Sequence, residues 1–288
     1  MMYASKNEVA RTALLDYTCP TVDELRTKLK RETAGARWAP IHHNDLADEV
    51  ELAAQARGLE IDTERYILSE DRHSMYAHLT FKHGEATRMP EIAGSGKIVA
   101  TLGYRHDNFQ RFRLQGLTGA NVHLCDNGLF SGDFLFGFKS TTGNVERMSV
   151  SIDAGMDAWE DQVEKQRRLI EFMANESITD DRADQLLMEG MRRKVYAPNQ
   201  LGKIDAVYRA YQDADNVHHA GFADRNLWSL YNAVTEVAKG WSVNNIERGL
   251  KLFPRMLTKV YDADLDLAPL VTGTLEGPES LHLQASRN

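Results

Sequence analysis

MYAHLTFKH, residues 75–83, changes the rhythm of the chain. Met75, Ala77, Leu79 and Phe81 alternate with Tyr76, His78, Thr80 and Lys82, and a period of two is that of a strand with one face buried. IVATLGY (98–104), FQRFRLQGL (109–117), ANVHLC (120–125), FLFGFKS (134–140) and VERMSVSI (145–152) follow, divided by Gly, Asn and Asp turn signals. Residues from about 64 to 152 therefore read as an antiparallel sheet.

Both flanks carry the helical period instead. HHNDLADEVELAAQARGLEI (42–61) predicts a helix with Asn44 or Asp45 as N-cap, Leu46, Val50, Leu52 and Ala53 as its apolar stripe and Gly58 as its stop. TVDELRTKLKRE (21–32), before it, sets leucine among charges at helical spacing. Beyond the sheet, Met156, Trp159, Val163, Ile170 and Met173 recur at helical intervals, and Ser177 or Thr179 can cap a further helix reaching to about Lys194. LGKIDAVYRAYQDA (201–214) and NLWSLYNAVTEVAK (226–239) repeat the signal, and Pro254 should break or kink the helix that begins near Asn245. Trp228, Tyr231 and Trp241 on these helices are assigned to the core rather than to an assembly surface. Asp262, Asp264, Asp266, Glu276 and Glu279 meet no cation before Arg287, which reads as a flexible acidic tail. The layout is α+β: N-terminal helices plus an antiparallel meander over 1–152, a helical part packed on it over 153–261, and the tail over 262–288.

A chain of 288 residues, 42% hydrophobic, has enough apolar side chain for a sizeable core, so disorder is not the expectation. The formal charge is −8, so attraction to nucleic acid or an anionic membrane would need locally clustered cations. No apolar run approaches the ~20 residues that cross a bilayer. Residues 1–17 lack the pattern of a signal peptide, and Cys19 and Cys125 are expected to be free thiols in a reducing cytoplasm.

One stretch runs against the acidic balance. YRHDNFQRFRLQ (104–115) interleaves Tyr104, Arg105, His106, Phe109, Arg111, Phe112 and Arg113. With 109–117 as a strand, Phe109, Arg111, Arg113 and Gln115 share one face while Phe112 and Leu114 share the other; Lys139 lies on a neighbouring strand. Guanidinium groups among aromatic rings are what unpaired nucleic acid requires, since cations meet phosphates and rings stack on bases. The competing account pairs these arginines with surplus carboxylates as a solvated strand face.

The other constellations fail on spacing. AGSGK (93–97) lacks both the earlier glycine and the hydroxyl residue of a phosphate loop and reads as a hairpin turn. His73, His78 and His83 fall on alternate strand faces, which argues against a shared metal. His123 and Cys125 find no further ligand pair, and His123 is a poorly placed base for a Cys125 nucleophile. Asn127–Gly128 within CDNGLFSGD reads as a tight hairpin. No catalytic residue, metal or cofactor is assigned.

Cys125, Asn127, Gly128 and Leu129, followed by Leu227 to Glu236 (LWSLYNAVTE), resemble a phage and plasmid family catalogued as domain of unknown function 932. The order and spacing of these motifs are similar over about two thirds of the chain. The sequence departs from that pattern at Tyr104-Arg105-His106-Asp107-Asn108, where the family tends to carry Ser-His-Asp-Gly. The resemblance implies a phage or mobile-element setting but no reaction. The order of elements also resembles phage single-strand annealing proteins, and the size and acidity resemble the single-stranded-DNA-binding cofactors of podophages with their own RNA polymerase.

Together these readings predict a binding protein, not an enzyme: a cytoplasmic, sequence-independent single-stranded-DNA-binding protein of viral replication, recombination or early transcription. Its expected partners are single-stranded DNA, a phage or host RNA polymerase and further copies of itself, with no membrane. The alternatives are an acidic protein-binding module that mimics nucleic acid, and a metal-dependent nuclease.

Overall fold

The sheet grows outward from the hairpin that the quoted stretch begins. A computed structural model describes residues 8–21, 24, 39–92, 98–109, 113–122, 127–129, 134–138, 145–213, 222–241 and 243–263. Among these, β1 (Glu8–Val9), β2 (Ile61–Leu68), β3 (Ser74–Phe81), β4 (Ile98–Asp107) and β5 (Leu114–Val122) lie side by side in chain order, all antiparallel. β6 (Asn127–Leu129) and β7 (Phe134–Phe138) share the far edge of β5, one along Ala120–Val122 and the other along Leu114–Leu117.

Period two becomes a buried face through register. Met75 lies between Leu68 and His106, Ala77 between Tyr66 and Tyr104, and Leu79 beside Leu102, so inward residues meet in rows across β2, β3 and β4. All of these side chains are buried.

Helices cover that face. α1 (His43–Gln55) packs on α2 (Met148–Met156), which lies on β7; α3 (Trp159–Asn175) crosses β5. Trp159 meets Phe81 edge-on at 5.1 Å and donates Nε1 to Ala86 O at 3.0 Å, while Gln166 Nε2 donates to Thr118 Oγ1 at 2.9 Å. α4 (Asp180–Arg192), α5 (Pro198–Tyr211), α6 (Leu227–Ala238) and α7 (Val243–Val260) complete the layer. α6 is the central rod, buried at nearly every position and packed against α3, α5 and α7. Trp228 and Tyr231 are core, each worth several kcal/mol of burial (~25 cal/mol per Å2 of apolar area); Trp241 is half-buried near Tyr196. The fold is α+β, with one continuous apolar core joining sheet and helices.

Several local expectations change. VERMSVSI is not a strand: Val145–Arg147 is a 3-10 turn and Met148 opens α2, because Met148, Ile152 and Met156 recur every fourth residue and bury one helical face. α1 is capped by His42, whose side chain accepts from the Asn44 amide, not by Asn44 or Asp45. Leu52 is 60% exposed, outside the α1 stripe. Gly58 does provide the left-handed stop, at φ 67°. Asn127–Gly128 belongs to β6, paired with Val122 and Asn121, and so is not the turn. α7 runs unbroken through Pro254, where burial of Leu250, Phe253, Met256 and Leu257 outweighs one missing amide donor. Residues 93–97, 123–126 and 264–288, with most of 21–32, lie outside the described residues.

Candidate nucleic-acid interface

The sheet's second face is where a ligand could meet it. β-strand alternation sends Arg65 and Ile67 of β2, Tyr76 and His78 of β3, Arg105 of β4 and Gln115 of β5 away from the helices, and each is half-buried. Register aligns them in two rows. Ile67, Tyr76, Arg105 and Gln115 are successive cross-strand neighbours; Arg65 pairs with His78 in the adjacent row. Arg105 donates Nε and Nη2 to Gln115 Oε1 at 3.2 and 2.7 Å, which fixes the guanidinium plane beside Tyr76. Arg113, just before β5, is exposed. Toward the other end the same face closes, with Thr80, Thr101 and Leu117 buried.

The candidate residues therefore divide. Arg105 and Arg113 stand on or beside this face. Tyr104 and His106 do not: β4 spans both, so they point to the core, at 2% and 1% exposure. Burial raises the Tyr104 phenol well above its ordinary range and lowers His106 to about 3, His43 beside it adding to the shift. Phe109 lies in the turn after β4, its amide donating to Asp107 Oδ1 at 2.8 Å and its ring edge-on to His73 at 4.4 Å. The strand expected over 109–117 starts instead at Leu114; from there the expected parity holds, Leu114 and Gly116 inward and Gln115 outward. Arg111, Phe112 and Lys139 lie outside the described residues.

Arg65, Tyr76 and His78 were not singled out by the basic stretch, yet two of them are the outward partners in the 75–81 alternation. Their signal was present in the period; only the register brings them to Arg105.

Elsewhere, a groove of about 510 Å3 lies between residues 88–92 and α3. Arg88 and Arg167 line it with Glu91 and Glu171, a balanced set that does not favour a polyanion. Among the described residues no cluster of His, Cys, Asp or Glu could hold a metal ion, and no helix is long and apolar enough to cross a membrane. Compared with protein-family models, curated proteins and solved structures, the chain matches none.

Proposed function

We propose that the protein binds single-stranded DNA without sequence preference, on the sheet face that holds Arg65, Tyr76, His78, Arg105 and Gln115, with Arg113 at its margin. The observation that supports this is the row Ile67–Tyr76–Arg105–Gln115: an aromatic ring, a fixed guanidinium and an amide side by side on the side of the sheet opposite the helices. A flat strand surface of this make-up offers a stacking platform next to a phosphate contact. One stacked base is worth ~1–3 kcal/mol, and three cation–phosphate contacts give a log–log salt slope of about −2. Such a footprint binds weakly by itself, so the protein acts as several copies along a strand. A phage setting, with an RNA polymerase as protein partner, is the biological part of the same proposal and draws on the motif resemblance.

Fluorescence anisotropy with labelled single-stranded DNA, duplex DNA and RNA across a salt series tests it. Binding should favour single strands, and the combined change Arg65→Ala, Arg105→Ala and Arg113→Ala should weaken it at least tenfold and flatten the salt slope by about 2; Tyr76→Ala should weaken binding with no change of slope. Absence of binding at low salt would sink the proposal and leave the acidic surface as a protein-binding face.

A further inference from the structure

Tyr17 stands among histidines drawn from separate parts of the chain. Its ring stacks on His43 at 4.2 Å and 18°, and lies 5.6 Å from His42 and 6.0 Å from His73. Its hydroxyl accepts from Asn108 Nδ2 at 2.9 Å and shares a hydrogen bond with His73 Nδ1 at 3.0 Å. Asn108 in turn grips the backbone of Ile41, Oδ1 accepting from N at 2.9 Å and Nδ2 donating to O at 3.0 Å. The N-terminal segment, the entry to α1 and the ends of β3 and β4 thus meet at one knot.

The hydrogen bonds fix where the imidazole protons sit. His43 Nε2 faces the Arg72 carbonyl at 3.0 Å and must donate, so its Nδ1 carries a lone pair. The proton in the 3.4 Å contact between His43 Nδ1 and His106 Nδ1 therefore belongs to His106. That leaves His106 Nε2 bare, buried and without a partner. His42 Nε2 donates to Tyr17 O at 2.7 Å, and its Nδ1 accepts the Asn44 amide at 3.2 Å. A second proton on His42 or His43 would remove a lone pair that an existing bond uses. On His106 it would charge a nitrogen with no acceptor in reach. His43 also opens α1, where the helix dipole opposes a cation.

We propose that this histidine cluster is an acid-sensitive latch: proton uptake releases the Tyr17 segment from the start of α1 and the ends of β3 and β4 while the helical core stays folded. The inference stands independently of nucleic-acid binding. Burial holds His43 down to about 4, with His42 and His73 adding to the shift and the Arg72 carbonyl and Asp107 opposing it; burial and His43 hold His106 down to about 3. Of the other charged groups facing the knot, Glu24 lies within electrostatic range of His73 and favours its cation, while the rest are tied up by hydrogen bonds of their own. Asp107 accepts from Ser74 Oγ and the Phe109 amide, Asp71 accepts from Ser69 Oγ and the His73 amide, and Arg72 donates to Ala13 O. Burial and Asp45 push the Cys19 thiol up to about 11, so it is neutral across the range concerned.

The sign follows from proton uptake. Rings whose pKa is lower closed than open bind more protons when open, so closure is fully favoured above the ordinary imidazole value and weakens as pH falls through it toward the closed values. Taking that ordinary value as near 6.5, His43 and His106 each favour opening about 30-fold at pH 5, together roughly three orders of magnitude relative to pH 7.5.

Hydrogen exchange of the intact protein over this range, corrected for the intrinsic pH dependence of exchange, reads the latch directly. The amides of Tyr17, Ile41 and Leu46, bonded to Leu14 O, Asn108 Oδ1 and His42 O, should lose about a thousandfold in protection while α6 amides keep theirs. A flat profile overturns the proposal, and so does loss of α6 protection in step, which is global acid unfolding. The double change His43→Gln and His106→Gln should remove most of the pH dependence, and a folded variant that keeps it also overturns the latch. Should that variant not fold, the wild-type comparison of Tyr17 with α6 amides decides alone.

Discussion

A Cβ placed on Gly116 would lie 2.2 Å from Phe136 Cζ, and that ring is buried on β7. The glycine lets an aromatic ring lie flat on its neighbour strand. Gly116→Ala should cost about 1–3 kcal/mol through overpacking, read as a lower denaturant midpoint at unchanged slope. At this scale the sequence was only partly legible. Arg105 was found because cations in an acidic chain stand out, but Tyr104 and His106 were grouped with it by adjacency, when strand parity sends neighbours to opposite faces. The histidine knot had no sequence signal at all. Positions 17, 43, 73 and 106 meet only after register has brought the strand ends together.

Elements were easier to read, because a helix or strand declares its period over many residues. α4 is an instance: Thr179 caps it by accepting from the Arg182 amide at 3.2 Å, and Ala183, Leu186, Leu187 and Gly190 form its buried stripe. Thr179→Ala should therefore lower stability by about 1 kcal/mol, seen as a drop in Tm of a few degrees, while Thr179→Ser should be nearly silent. VERMSVSI escaped because a short run with apolar residues at 145, 148, 150 and 152 fits either period. Pro254 does not end α7, because tertiary packing outweighs the local rule that proline breaks a helix.

At the scale of the molecule, the α+β order followed from where period two replaced the helical period, but which sheet face stays open did not. It depends on which side the helices cover, and that is set by long-range packing such as Phe81 against Trp159 and Gln166 against Thr118. Because these contacts make one core of sheet and helices, thermal unfolding followed by far-UV circular dichroism and by tryptophan fluorescence should give coincident single transitions. Two separate midpoints would show that the halves unfold independently.

From β2 to β5 the strands stand in space in the order in which they are synthesised, each paired with its predecessor. This half of the chain can zip up hairpin by hairpin as it leaves the ribosome, each strand closing on the one made before it. The helical side has no such freedom. Asn226 bridges back to Ser177 and Ala174 where α6 seats on α3, so the core that α1, α2 and α3 begin over the finished sheet stays incomplete until a helix that starts only at Leu227, well after β7 ends at Phe138. The interval between those events is when a chaperone, or a neighbouring nascent chain, would meet this protein.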